Sequence, residues 1–218
     1  MKKRRNTILS VLVLPPLVFS GCANFFDAPP DTAPQTSADS DATEDGLPPL
    51  EDNLKELYQD AERVYLNITY ANFYRDLNKQ IEKDNLIYYK INEPEFDSYD
   101  SFKTYLLNYF SEDFVNETLL NPDTTRFLKG EDGALYMMDA GRGSDILYAG
   151  HVFHPAQRSE TQITFTATAY YSNKSEAYEG ETFVTEPENS NDFSTQDFTF
   201  SLVKEGGQWK FDQFACFF

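Results

Sequence analysis

Two different hydrophobic periods follow one another along the chain, and their order restricts the fold more than any other feature. From Leu54 to Ile68, apolar residues recur every three or four positions, which predicts an amphipathic helix over about 51–70. From Thr161 to Tyr171, apolar and polar residues alternate, which predicts a half-buried strand. This order indicates an α+β domain in which N-terminal helices pack against a curved antiparallel β-sheet.

Shorter patterns predict the elements around these two. Residues that cap helices predict a second helix beginning near Ser98 and a third beginning after Ser111. The run Leu86–Ile91 is typical of a short strand, and turns that contain Gly133 and Gly206 predict two β-hairpins. We therefore expect three helices, followed by several antiparallel strands.

The first 22 residues have the layout of a lipoprotein signal peptide. Basic residues at positions 2–5 precede an apolar stretch over 8–19, and two small residues precede Cys22. The stretch is too short to span a bilayer, which needs roughly 20 apolar residues. We expect cleavage before Cys22, lipidation of Cys22, and anchoring at the outer face of a bacterial cytoplasmic membrane. Ordinary secretion without a lipid is the alternative.

Residues 23–50 are predicted to form a disordered tether between the signal and a single folded domain, 51–218. The tether is rich in Pro, Ser, Thr and Asp and contains no basic residue, so it buries too little apolar surface to fold. After the signal, the chain has 14 basic and 36 acidic residues, a formal charge of −22. That charge excludes nucleic acid as a partner, because nucleic-acid binding requires Lys and Arg, and it favours cationic partners.

No set of residues in the sequence predicts catalysis. His151 and His154 are three positions apart, so on a strand they point to opposite faces and do not share a metal ion. Cys216 lies among Phe and Ala residues, where a buried thiol is expected rather than a nucleophile. The sequence predicts no cofactor and no metal site, and it favours a binding or inhibitory protein over an enzyme.

One loop stands out as a candidate for contact with a partner. Two glycines surround a lone arginine and two aspartates frame them, which permits a tight turn with a mixed-charge tip. Its residues are Asp139, Gly141, Arg142, Gly143 and Asp145. Either Arg142 pairs with an aspartate and holds a strand corner, or the loop binds the partner directly. The segment 121–126 is the second candidate.

Four segments carry a resemblance to a known family. They are Leu57-Tyr58 with Ala61, Phe102–Ser111, Asp132–Tyr136 continuing into Asp139–Asp145, and Gly206–Phe211. Together they resemble the IseA family, extracytoplasmic inhibitors of the DL-endopeptidases that cut peptidoglycan stem peptides. The resemblance implies a two-lobed α+β fold, with the helices in one lobe and the sheet in the other. It also implies an acidic loop that enters the cleft of an NlpC-type cysteine endopeptidase, although Arg142 places a positive charge at the tip.

A second interpretation stays open from the sequence. Helices followed by a bent sheet that ends in Gly-Gly-x-Trp-x-Phe also resemble the nuclear-transport-factor-like cone fold, which often holds an apolar pocket. The chain has 19 Phe and 14 Tyr, which would either line such a pocket or fill the core. In this interpretation the protein is a non-enzymatic lipoprotein that binds a small apolar ligand or acts as a scaffold. A closed, packed interior would argue against it.

Overall fold

The computed structural model describes residues 45–138 and 143–218, which contain three helices and two antiparallel sheets. The helices are α1 (Asp52–Tyr70), α2 (Tyr99–Leu106) and α3 (Glu112–Phe114), which continues as a π-helical turn, Val115–Leu119. The strands are β1 (Arg75–Lys83), β2 (Leu86–Ile91), β3 (Phe127–Lys129), β4 (Leu135–Met138), β5 (Tyr148–Phe153), β6 (Gln157–Arg158), β7 (Gln162–Ser172), β8 (Phe193–Glu205) and β9 (Gln208–Gln213). The α+β prediction is confirmed.

The first helix has the predicted extent and the predicted buried face. Leu54, Tyr58, Ala61 and Val64 are buried along one side of α1. The helix ends at Ala71, which takes up a left-handed conformation with φ of 53°. Such a residue turns the chain out of the helix and lets the following N–H groups satisfy the last carbonyls.

Serine hydroxyls begin the two other helices, as the sequence predicts. Ser98 Oγ accepts a hydrogen bond from the Ser101 N–H at 3.1 Å, and Ser111 Oγ accepts one from the Phe114 N–H at 3.1 Å. Ser111 Oγ also donates to Asp212 Oδ1 at 2.6 Å. Because Asp212 lies in β9, this serine both caps α3 and attaches it to the C-terminal strand.

The strands form two sheets rather than one curved sheet. In the first sheet the order is β1-β2-β4-β3, and in the second it is β5-β7-β8-β9, with β6 paired to β7. Among the described residues, β4 pairs with β2 and β3, whereas β5 pairs with β7. Since β4 does not pair with β5, the strands form two separate sheets. The helix α2 contacts β4 of the first sheet, and α3 contacts β9 of the second, so helices pack against both sheets.

Aromatic side chains fill the space between α1 and the second sheet. The Tyr58 ring centroid lies 5.6 Å from that of Phe153, 6.0 Å from Phe200, 6.1 Å from Phe211 and 5.5 Å from Phe214. All five rings are buried, and three of these four contacts are edge-to-face, a favourable arrangement for aromatic pairs. Rings therefore occupy the region where a cone fold would hold its apolar pocket.

The connection between β7 and β8 folds back onto β5. The His151 N–H donates to the Phe183 carbonyl at 3.1 Å, and the Phe183 N–H donates to the Ala149 carbonyl at 3.1 Å. Gly150 lies between these two bonds with φ of 152°, and a β-carbon there would lie 2.2 Å from the Phe183 carbonyl oxygen. Glycine is thus required for this close approach of two backbones.

Candidate functional site

Part of the predicted partner-binding loop lies within the described residues. Gly143 and Asp145 are described and exposed, whereas Asp139, Gly141 and Arg142 lie outside the described residues. Cys22, the candidate for lipidation, also lies outside them. The loop joins the last strand of the first sheet, β4, to the first strand of the second sheet, β5.

The C-terminal base of this loop is a hydrogen-bonded turn. Asp145 Oδ1 accepts from the Leu147 N–H at 2.9 Å, and the Asp145 carbonyl accepts from the Tyr148 N–H at 3.2 Å. The next residue, Ile146, has 62 % of its surface exposed, although its carbonyl accepts from the Tyr178 N–H at 2.8 Å. This end therefore presents one carboxylate and one apolar side chain from a fixed backbone.

The N-terminal base of the loop adjoins the second candidate segment, 121–126. The Met138 N–H, at the end of β4, donates to the Arg126 carbonyl at 2.9 Å. Arg126 in turn donates through Nη1 to the Thr69 carbonyl at 2.9 Å, which attaches this point to the end of α1. The fold thus places Met138, the residue before the loop, beside Arg126 at one end of the β3–β4 pair.

The segment 121–126 is held by its own hydrogen bonds. Asn121 Oδ1 accepts from the Asp123 N–H at 2.9 Å, and the Asn121 carbonyl accepts from the Thr125 N–H at 2.8 Å. Asn121 Nδ2 donates to the Glu117 carbonyl at 3.0 Å, which fixes the asparagine itself. The Asp123 side chain is exposed on this rigid turn, so the segment offers one carboxylate beside the loop.

A groove of about 410 Å³ lies against the base of the loop. It is lined by Asp145, Leu147, Tyr171, Ser194, Gln196, Phe198, Cys216, Phe217 and Phe218. Cys216 is a free thiol and is only partly buried, less than the buried thiol that the sequence predicts. The groove runs from the loop across the second sheet toward the C-terminal residues.

The two histidines have different surroundings. His151 is largely buried, with Nδ1 at 2.6 Å from the Tyr148 hydroxyl and its ring stacked at 4.2 Å on Phe217. Burial lowers the pKa of His151 to about 4, an effect that the Gly46 carbonyl opposes only in part. His154 is exposed and contacts Thr168 through Nε2 at 2.8 Å. Neither arrangement resembles an activated catalytic base.

Over 45–138 and 143–218, no three His, Cys, Asp or Glu side chains are grouped so as to hold a metal ion. Within the same ranges, no helix combines the length and the apolar character needed to cross a membrane.

The family model described as IseA DL-endopeptidase inhibitor matches residues 49–216. The chain belongs to this family. No curated protein sequence matches the chain. The members of the IseA family inhibit endopeptidases and are not catalysts themselves, so membership supports a peptidase-inhibitor role for this chain with a peptidase as its partner.

The IseA-family domain also carries a cleft between α1 and α2, of about 680 Å³, which the sequence did not predict. This α1–α2 cleft is lined by Arg63, Asn67, Asn72, Phe73, Tyr74, Glu93, Glu95, Phe96, Tyr105 and Tyr109. Its residues come from α1, from the connections on either side of the β1–β2 hairpin, and from α2 and the residues after it. None of them belongs to the loop or to 121–126.

Proposed function

We propose that the protein is a lipid-anchored, extracytoplasmic inhibitor that blocks the cleft of an NlpC-type DL-endopeptidase with the loop 139–145. The family match over residues 49–216 is the observation that carries this proposal. The loop is favoured as the contact because it is acidic at both ends and because the residues on both of its sides are fixed.

Fixed flanks are useful in an inhibitor because docking then orders fewer groups. Before the loop, Met137 is fully buried in β4 and Met138 is bonded to Arg126. After it, Asp145 and Tyr148 close a turn. Binding therefore costs less conformational entropy than it would for a loop between mobile segments.

The charges of the loop and of the neighbouring segment also favour binding to a peptidase. Asp139 and Asp145 lie at the two ends of the loop, and Asp123 is exposed on the neighbouring segment. Acidic groups that face a cationic rim accelerate association and fix the orientation of the complex. In this proposal Arg142 pairs with a carboxylate of the peptidase or of the loop itself.

The anchor would add a concentration effect. The segment after Cys22 contacts the domain from about Asp45 on, because Asp45 forms an ion pair with Lys55 at 2.9 Å and Leu50 is buried. In this proposal residues 23–44 act as the tether that their composition predicts, and a coil of that length would reach roughly 26 Å from the membrane. Confinement to that layer raises the effective concentration of the inhibitor against hydrolases that work there.

The first experiment measures inhibition directly. The chain without its signal peptide, residues 23–218, is added to a panel of NlpC-type endopeptidases that hydrolyse cell walls. We expect one or more of them to be slowed at near-stoichiometric ratios. Absence of binding to every member of the panel would contradict the proposal.

A second experiment separates the loop from its neighbour. The double variant Asp139→Asn, Asp145→Asn removes two charges while an amide oxygen still accepts from the Leu147 N–H. We expect its inhibition constant to rise at least about tenfold, the loss of about 1.4 kcal/mol. The matched control, Asp123→Asn, is expected to change the constant less than about threefold. If Asp123→Asn instead raises the inhibition constant more than the double variant does, the contact lies on 121–126.

The anchor has its own test. In cells that express the full chain, labelled fatty acid is expected in the protein and the protein is expected in the membrane fraction. Cys22→Ser should abolish both, whereas Cys216→Ser should leave both unchanged. Membrane association of the Cys22→Ser variant would rule out anchoring through this residue.

A further inference from the structure

The α1–α2 cleft is concave, lies outside the proposed peptidase contact, and has an aromatic wall. The ring centroids of Tyr105 and Tyr109 are 5.5 Å apart at an angle of 71°, and the Phe96 centroid lies 5.4 Å from that of Tyr105. Phe73, which also lines the cleft, packs against Phe96 at 5.9 Å and extends this wall. Rings in several orientations therefore surround a space large enough for a side chain.

Two carboxylates, those of Glu93 and Glu95, also line the cleft. Glu93 is oriented by the protein, since its Oε1 accepts from the Tyr74 N–H at 2.6 Å. Glu95 is exposed nearby, and its charge contributes to the raised pKa of Tyr105, for which burial is the larger cause. One carboxylate is thus fixed, and the second lies near the aromatic wall.

The single basic residue that lines the cleft is already paired. Arg63 Nη2 donates to Asp60 Oδ1 at 2.7 Å, so its charge is balanced by a residue outside the cleft. Arg63, Glu93 and Glu95 give the lining a formal charge of −1, and Asp60 beside Arg63 brings the charge of this region to −2. A concave surface lined by one sign of charge concentrates the electrostatic potential and attracts counter-charged ligands.

We propose that the α1–α2 cleft binds a protonated primary amine carried on a short aliphatic stem, the chemistry of a lysine side chain. The stem packs along Phe73 and Phe96, and the ammonium group lies near the faces of Tyr105 and Tyr109. Its three N–H donors are satisfied by Glu93, Glu95 and a tyrosine hydroxyl. Cations are stabilised over aromatic rings, so the aromatic residues and the carboxylates of the cleft both contribute to binding.

Other ligand classes fit the cleft less well. An anion would meet two carboxylates, while Arg63 is occupied by Asp60. A purely apolar ligand would remove Glu93 from water without replacing its solvation, which costs free energy. An amine on an aliphatic stem satisfies both the rings and the charges.

The test uses defined probes and no peptidase, so its failure would leave the inhibitor proposal untouched. The 23–218 chain is titrated with Nα-acetyl-lysine methylamide and followed by NMR and calorimetry. The matched probe is Nα-acetyl-norleucine methylamide, which keeps most of the stem and lacks the amine. We expect the norleucine probe to bind at least about tenfold more weakly. Equal binding of the two probes would overturn the proposal.

Variants test whether binding occurs in the cleft. Glu95→Gln and Glu93→Gln each keep the size of the side chain, and glutamine still offers an acceptor to the Tyr74 N–H. Each is expected to weaken binding of the lysine probe about fivefold or more, whereas Glu160→Gln, on an exposed turn, should change it less than about twofold. If Glu160→Gln weakens binding as much as Glu95→Gln, the attraction is that of the acidic surface as a whole and the proposal fails.

A third probe distinguishes the two sources of such an amine. The compound 1,5-diaminopentane carries the amine without peptide groups. Tighter binding of the lysine amide assigns the cleft to a side chain presented by a polypeptide, and tighter binding of the diamine assigns it to a free solute. Whichever of the two probes binds more tightly, its binding supports an amine site. Failure of both probes to bind overturns the proposal.

Discussion

The two sheets of the domain differ in how they are stabilised. In the second sheet, β7 and β8 pair along eleven consecutive residues, and one face of that ladder packs on the aromatic core under α1. In the first sheet, β2 and β4 pair through three residues, and Leu77, Leu86 and Ile87 are exposed on the β1–β2 hairpin. Of the two sheets, the second therefore contributes more buried apolar residues, whereas the first also carries apolar residues that project into solvent.

We infer from this difference that the residues that stabilise the fold and the residues that bind the partner lie in different parts of the domain. The loop begins at the end of β4 in the first sheet, and the segment 121–126 precedes β3 of the same sheet. A change in this region is therefore expected to alter binding at little cost in stability, while a change in the aromatic core unfolds the protein. The variants below test that division in order of decreasing effect.

The largest effect is expected in the aromatic core. Phe200 is fully buried and its ring lies 5.1 Å from that of Phe165 in a parallel stack. Phe200→Ala should lower the free energy of unfolding by about 3–5 kcal/mol, because it removes a large side chain and leaves a cavity. Urea unfolding measures this difference. A loss below about 1 kcal/mol would show that the core repacks easily and would remove the contrast between the sheets.

The second effect is a dependence on pH that arises at His151. Its pKa is about 4 in the folded protein, against 6.5 for an unperturbed histidine, so the unfolded chain binds the proton more readily. Stability is therefore fully present above pH 6.5 and is lost as the pH falls toward 4, by at most about 3 kcal/mol. Glu62 opposes this trend, because burial raises its pKa in the folded state.

Thermal unfolding at several pH values checks the histidine effect. His151→Gln should reduce the loss of stability between pH 6.5 and 4. Equal slopes in the wild type and in His151→Gln would mean that other groups cause the acid sensitivity.

A smaller effect is expected where α3 joins β9. Ser111→Ala removes a cap and leaves Asp212 without its 2.6 Å donor, so we expect a loss of about 2 kcal/mol. The matched variant Ser98→Ala removes a cap on α2 and should cost about 1 kcal/mol. Chemical denaturation of both variants measures the difference. If the two losses are equal, the bond to Asp212 adds nothing to the cap.

The smallest effect is expected on the hairpin of the first sheet. Ile87 is 43 % exposed, and Ile87→Thr keeps a β-branched residue suited to a strand. The free energy of unfolding should change by no more than about 0.5 kcal/mol, as for most surface substitutions. A loss comparable to that of Phe200→Ala would show that the hairpin is as important to stability as the core.

Elements set by local sequence were predictable. The apolar spacing of α1 and the serine caps of α2 and α3 act within a few residues, so the pattern determines them. Gly133 and Gly206 have φ of 76° and 57°, the conformation for which their turns need glycine. The alternation in β7 holds from Ile163 to Ala169, but after it Tyr170 is buried and Tyr171 only partly buried, the reverse of the predicted pattern.

Features that depend on distant partners were not predictable. The strand β1 contains five charged residues and only two apolar ones, so its conformation depends on pairing with β2. The division into two sheets depends on which strands pair. The α1–α2 cleft combines residues from 63 to 109, and no local pattern marks them. The sequence nominates the candidate loop and 121–126 separately, whereas the fold places Met138, the residue before the loop, beside Arg126.

The absence of a side chain at Gly150 has a consequence for comparisons within the family. The β7–β8 connection rests on β5 at the one place where a β-carbon would collide with the Phe183 backbone. A homologue with any other residue at this position must route that connection elsewhere, and the Tyr178 bond that supports Ile146 would be lost with it. The residue aligned with Gly150 would therefore distinguish family members that share this loop base from members in which the base has a different structure.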